Sequence, residues 1–237
     1  MTTVSDPTAG RAWTDRGTEL FLGALARTGD EALAGPTALP GWTGRHLVAH
    51  VAANAEALLN LGHWAATGEP TPMYSSPDQR SADIEAGSRR PSADLRQWAA
   101  ASAQRLRSEL AALTGGQWSR RVRTAQGREI PATEILWLRA REVMVHAVDL
   151  DPGLGFGDLP DDFLRALVDD IVARRSDGRQ PALSLVADDR HTWSVRGRGE
   201  PIDVHGSLAG IAGYLTGRPA PDLKAPAGKI PALPPWL

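Results

Sequence analysis

Apolar positions recur at helical spacing through residues 11–29, RAWTDRGTELFLGALARTG, and stop at Gly29, which predicts a first helix. Pro40-Gly41 makes a turn, Thr43 is placed to cap a helix, and HLVAHVAANAEALLNLGHWAA then carries a long amphipathic helix to about Ala66. The three prolines of EPTPMYSSPD, 69–78, make that stretch a loop. Helical patterning resumes from about Arg80 to Leu113 and breaks at Arg90-Pro91, where Ser92 can cap a fresh start. A turn at Gln126-Gly127 leads into a helix from Pro131 to about Leu150. Four long helices with short connectors have the pattern of an antiparallel bundle.

The pattern changes after DPGLGFGDLP, 151–160. One more helix is expected at 161–175, followed by the short β-like runs ALSLVAD, HTWSVRG and PIDVHG between turn residues. SLAGIAGYLTGR, 207–218, predicts a helix, and a proline-rich tail ends the chain. The fold class is therefore α+β: a helical bundle over residues 1–153 and a small α/β domain over 154–237, with no internal repeat.

Composition narrows the function classes. A formal net charge of −2 supplies no basic field for nucleic acid. The N-terminus lacks the basic and apolar regions of a signal peptide, and no apolar run is long enough to span a bilayer, so a cytoplasmic protein is expected. Cysteine is absent, which excludes disulfides, Cys-ligated zinc fingers and a protein-borne thiol nucleophile. Lysine occurs only at Lys224 and Lys229, so 24 of the 26 basic residues are Arg, and cations in a site will be guanidinium forks suited to carboxylates.

The chemistry concentrates in REVMVHAVDL, 141–150. Glu142 and His146, four apart, share one helix face, flanked by Arg139 and Asp149. The rest of this helix is apolar nearly all round, as in a buried helix, so the polar strip must meet partners, a cavity or a metal. In HLVAHVAAN, His46, His50 and Asn54 stack at i, i+4 and i+8. Side-by-side packing would let His50 meet Glu142 and His146, an ordinary ligand set for Zn²⁺ with a fourth position open. A hydrogen-bonded Glu/His pair is the common alternative, and His46 with His50 is an equally good pair by spacing. Periodicity does not choose the ligands.

GWTGRHLVAHVAANAEAL, PMYSSP, TAQGREIPATEILWLRAREVMVHAVDL, GSLAGI and the terminal PPWL together closely resemble the mycothiol-dependent maleylpyruvate isomerases, within a DinB-like superfamily of thiol-dependent metalloenzymes. The resemblance spans nearly the whole chain. It implies a DinB-like four-helix bundle carrying zinc on His50, Glu142 and His146, and a C-terminal domain contributing to the active site through Arg218, with Arg80 a further anion-binding candidate. It also implies mycothiol as cofactor and maleylpyruvate as substrate, in gentisate-type aromatic breakdown. Thiolate addition would make the cis double bond single, rotation would follow, and elimination would give fumarylpyruvate. Asp149 could orient His146, or simply bond the helix end. A mycothiol S-transferase on the same metal scaffold is the alternative, distinguished by a stable thioether product; a non-catalytic apolar-ligand module is the third reading. The expected partners are small molecules, with no nucleic acid or membrane, and the chain is expected to be a monomer or weak oligomer.

Other signals are discounted. GLGFG, 153–157, follows a helix rather than a strand and lacks the context of a phosphate loop. RRVR, 120–123, is expected to be a solvated basic turn, and the eight tryptophans to be core or interface. His63, His191 and His205 have no partner that spacing can name.

Overall fold

The computed structural model describes residues 7–76, 78–226 and 228–234, so most of the terminal PPWL and the last proline of PMYSSP lie outside the described residues. The chain divides into two compact units at Gly153/Leu154.

The long helices of the first unit are α1 (Pro7–Arg27), α3 (Gly44–Thr67), α5 (Ser92–Ala112) and α7 (Glu134–Leu150). Shorter helices α2 (Asp30–Ala34), α4 (Gln79–Ser88) and α6 (Gly115–Trp118) sit between them. A small antiparallel hairpin, β1 (Arg121–Arg123) with β2 (Glu129–Pro131), pairs Val122 with Ile130 around the expected Gln126-Gly127 turn. The basic run at 120–123 is thus partly strand. Three-residue strands whose single inward side chain is Val122 or Ile130 are too short to register as an alternation.

The bundle corrects the antiparallel expectation. Gly10 and Gly17 of α1 lie against Leu136 and Val143 of α7, so these two helices run parallel. Glu56 of α3 meets Trp98 and Arg105 of α5, and Gly62 meets Leu110, so α3 and α5 are parallel as well. The α3–α7 pair is antiparallel: His50 meets Glu142 while Asn54 meets Arg139. The cause lies in the proline-rich loop. Segment 69–78 runs back along α3, with Asn60 Nδ2 donating to the Pro72 carbonyl, and Arg80 ends beside His50. Extended chain spans roughly 3.3 Å per residue, so ten residues cover about 30 Å, close to the length of α3. The connector therefore returns the chain to its starting level before α5 begins.

Close packing is set by small residues. Gly87 of α4 stands where a Cβ would come within 2.9 Å of the Ala49 Cβ, which brings α4 onto α3. Thr14 Oγ1 donates to the Leu136 carbonyl at 2.9 Å, and Arg27 donates twice to Asp151 Oδ2, at 3.0 and 2.8 Å, tying α1 to the end of α7. Gly68, at φ 87°, closes α3 with its N–H on the Trp64 carbonyl.

The second unit opens with a 3-10 turn (Phe156–Asp158), where GLGFG ends, and continues with α8 (Asp161–Arg175), β3 (Pro181–Ala187), β4 (Thr192–Val195), β5 (Arg198–Gly206) and α9 (Leu208–Leu215). The sheet order is β4-β3-β5, with β4 antiparallel and β5 parallel to β3. Leu183 and Leu185 of the central strand are buried. Ser207 Oγ caps α9 by accepting from Gly210 N at 2.9 Å. His191 stacks on Trp193 with ring centroids 4.3 Å apart, and His205 pairs by backbone with Lys224 of the tail.

Two glycine substitutions on α1 should have opposite effects. An alanine Cβ at Gly17 would lie 2.6 Å from Val143 Cγ2 and 2.9 Å from Met144 Cγ, so Gly17→Ala should destabilise the fold by about 1–3 kcal/mol. Gly23→Ala meets only the flexible Arg27 Nη1, at 3.4 Å, and should stabilise by roughly 0.5–1 kcal/mol. Urea unfolding of the two variants measures both signs.

Candidate metal centre

The antiparallel α3–α7 pair brings His50, Glu142 and His146 together. His50 Nε2 lies 2.8 Å from Glu142 Oε2, and His146 Nε2 lies 3.4 Å from the same oxygen. One ligand atom from each of the three residues falls within 4.8 Å of the other two. Their side chains are 7%, 13% and 12% exposed, which leaves the cluster nearly dry but reachable. Tetrahedral zinc with bonds of ~2.0–2.1 Å sets its donors roughly 3.3 Å apart. The observed separations bracket that value, and two imidazoles with a carboxylate are an apt donor set, so the residues present fit a divalent cation.

Each imidazole has a partner on its far side. Asp149 Oδ2 lies 2.8 Å from His146 Nδ1, and its side chain is buried. A carboxylate only accepts, so Nδ1 donates to Asp149 and Nε2 is the nitrogen turned toward the cluster. Asp149 thus orients His146. His50 Nδ1 lies 3.3 Å from Arg80 Nη2, and its ring is covered by Trp42 at a centroid distance of 5.3 Å. The two histidine rings meet edge to face, with centroids 5.1 Å apart.

The remaining polar residues of both strips are accounted for. His46 is drawn off as a helix cap: its Nδ1 accepts from Thr43 N at 3.3 Å, and its Nε2 sits 3.5 Å from Glu85. His46 thus stands outside the cluster, although spacing left it equal to His50. Arg139 is buried, with Nη1 donating to the Val51 carbonyl at 2.8 Å and to Asn54 Oδ1 at 3.0 Å. It ties α7 to α3 one turn below the histidines.

These contacts set the electrostatics. Burial pushes the Glu142 carboxyl upward, but hydrogen bonds from His146 and His50 outweigh it and hold it well below the usual carboxylate range. Burial dominates at His50 and lowers its pKa against the pull of Glu142. At His146 burial also pushes down, yet the hydrogen bonds to Asp149 and Glu142 raise the net value. Burial brings the Arg139 guanidinium down to about 10, with Glu142 opposing. A charged carboxylate between imidazoles is the state a cation requires.

Of the two arginines expected at an active site, Arg80 stands beside His50 at the start of α4. Arg218 follows α9 in the second unit, where its Nη1 donates to the Thr216 carbonyl. Sequence reasoning missed Trp42, counted only among the core or interface tryptophans, and Tyr74, whose hydroxyl pKa is raised by burial against the opposing charge of Arg80. Tyr74 was visible only as part of PMYSSP, since nothing in that stretch says which way the loop runs.

The fold and the cluster define a helical-bundle protein with a site fit for a divalent cation. Residues 14–151 match the family model described as the mycothiol maleylpyruvate isomerase N-terminal domain. The chain is also similar to a crystal structure of the mycothiol-dependent maleylpyruvate isomerase, with 38% identity, 100% of both chains covered and a TM-score of 0.95. A histidine-to-alanine mutant of that enzyme gives 38% identity, the same full coverage and a TM-score of 0.94. Among curated proteins nothing matches. The chain belongs to the mycothiol-dependent maleylpyruvate isomerase family and is an isomerase. No described helix is long and apolar enough to cross a membrane.

Removing Asp149 should unlock the His146 ring. Asp149→Ala should retain a divalent ion about 10–100-fold less tightly, as measured by chelator competition. Arg27→Ala, which breaks only the exposed pair at the same end of α7, should leave retention unchanged.

Proposed function

We propose that the chain converts maleylpyruvate to fumarylpyruvate by a mycothiol-dependent reaction, with zinc held by His50 Nε2, Glu142 and His146 Nε2. The observation that carries this reading is the convergence of those three groups across 92 positions of sequence, in a chain whose full length aligns with an enzyme of that name. When bound, the cation would keep an added thiol as thiolate at neutral pH, and reversible conjugate addition of that thiolate is what frees the substrate's double bond to rotate.

The protein supplies binding, orientation and exclusion of water. It has no cysteine, so the sulfur must come from outside. His50, Glu142 and His146 provide one negative charge and two neutral nitrogens, which leaves the bound cation a net positive charge to attract a thiolate. Asp149 keeps the His146 proton on Nδ1, away from the cation. Trp42 and the buried faces of α3 and α7 keep water from the back of the histidines. Arg80 offers donors for a substrate carboxylate and for negative charge gathering on its oxygens. Arg218 is proposed as a second such donor, as the family resemblance implies. A soluble enzyme acting on a small acid, in the cytoplasm, is consistent with this chemistry.

The test is turnover of maleylpyruvate with and without mycothiol, using zinc-replete and zinc-stripped protein. Turnover should need both and return on adding zinc. His50→Ala and Glu142→Ala should each lower it by about 10³-fold or more, the scale on which loss of preorganised electrostatics acts. Undiminished turnover by stripped protein would refute the metal role. Free thiol should be recovered after the reaction; a stable thioether in the products would instead make the chain a mycothiol S-transferase.

A further inference from the structure

The contact between Arg80 and His50 conflicts with cation binding at His50. A guanidinium nitrogen has no lone pair to offer, so at 3.3 Å Arg80 Nη2 donates and His50 Nδ1 accepts. An imidazole that accepts at Nδ1 carries its proton on Nε2, and Nε2 accordingly sits 2.8 Å from Glu142 Oε2, an oxygen that only accepts. In this tautomer Nε2 has no lone pair for a metal. His146 is opposite: Asp149 holds its proton on Nδ1 and presents Nε2 to the cluster. The two histidines of the site thus differ at Nδ1, which meets a donor at His50 and an acceptor at His146.

We propose that Arg80 is an exchangeable partner of His50, released when a cation takes Nε2 and thereby freed to grip an anionic ligand of the same site. This rests on the reading of His50, Glu142 and His146 as a cation site. When the cation binds, the His50 proton leaves Nε2 and Nδ1 gains one, so the ring stays neutral. Nδ1–H then points at a guanidinium that also donates, and the two repel. Trp42 keeps the His50 ring from turning away to escape the conflict, since the two rings are in contact at 5.3 Å. Cation and anion are therefore coupled: whatever draws Arg80 off His50 favours cation binding, and the reverse holds by linkage.

Arg80→Met distinguishes this exchange from a structural role, because the exchange expects two effects of opposite sign. Zinc affinity, read by chelator competition, should be about tenfold tighter than in the wild type, the scale of one net hydrogen bond. Binding of maleate to the zinc-loaded protein, read by calorimetry, should be about tenfold weaker. Nitrogen-detected NMR of the wild type supplies a readout that needs no variant: His50 should carry its proton on Nε2 in zinc-free protein and on Nδ1 in zinc-loaded protein. Zinc bound equally or less tightly by Arg80→Met would overturn the exchange while leaving the cation site standing, as would an Nδ1–H tautomer in zinc-free protein. Failure of both proteins to bind zinc would remove the cation site and the exchange with it.

Discussion

A carboxylate taken out of water must be met by donors, and Glu142 is met from two helices at once. That requirement organises the first unit. Helix α7 can be buried on nearly every side only because its polar strip finds its partners on α3. Arg139 is satisfied by the Val51 carbonyl and Asn54, Glu142 by His50 and His146, and His146 by Asp149. Each contact of α7 with α3 fixes the register of the next. On the opposite side, α7 is held against α1 by the space left at Gly10 and Gly17.

Charge around the cluster is arranged in a sequence along the helices. Arg139 lies three residues before Glu142 on α7, against Asn54 of α3, and Arg80 of α4 lies against His50. Both are arginines, in keeping with a chain nearly devoid of lysine. Burial lowers the affinity of Arg139 for its proton to about 10, still well above neutrality, so it remains a fixed cation. The anionic partners are fixed too, because Glu142 is held ionised by its hydrogen bonds. A site of this kind needs little rearrangement of charge to accept an ion, and the one mismatched contact is that of Arg80 with His50 Nδ1.

Much of this was legible in the amino-acid order. The long helices follow from apolar spacing, and the i, i+4 relation of Glu142 and His146 gave their common face. The pairing with α3 followed from the second polar stack at His46, His50 and Asn54. Spacing failed where two residues were equivalent by period: His46 and His50 differ only in that Thr43 captures the first. It failed again for topology. Loop 69–78 was recognised as a loop, but its prolines also make it extended, and extension is what turns a presumed antiparallel neighbour into a parallel one. Trp42 and Tyr74 reach the site through turns and loops, where no periodicity carries the direction of a side chain.

The separation of the cluster's two halves has a consequence for the chain's own synthesis. His50 and its partner Glu142 are 92 residues apart, and at about 5–20 residues per second the ribosome needs roughly 5–20 s to make the intervening segment. Throughout that interval the first half of the bundle exists without the helix that completes it. Assembly of the cluster is therefore a late event in the life of the nascent polypeptide, and a product truncated before Glu142, however helical, holds only its His50 half.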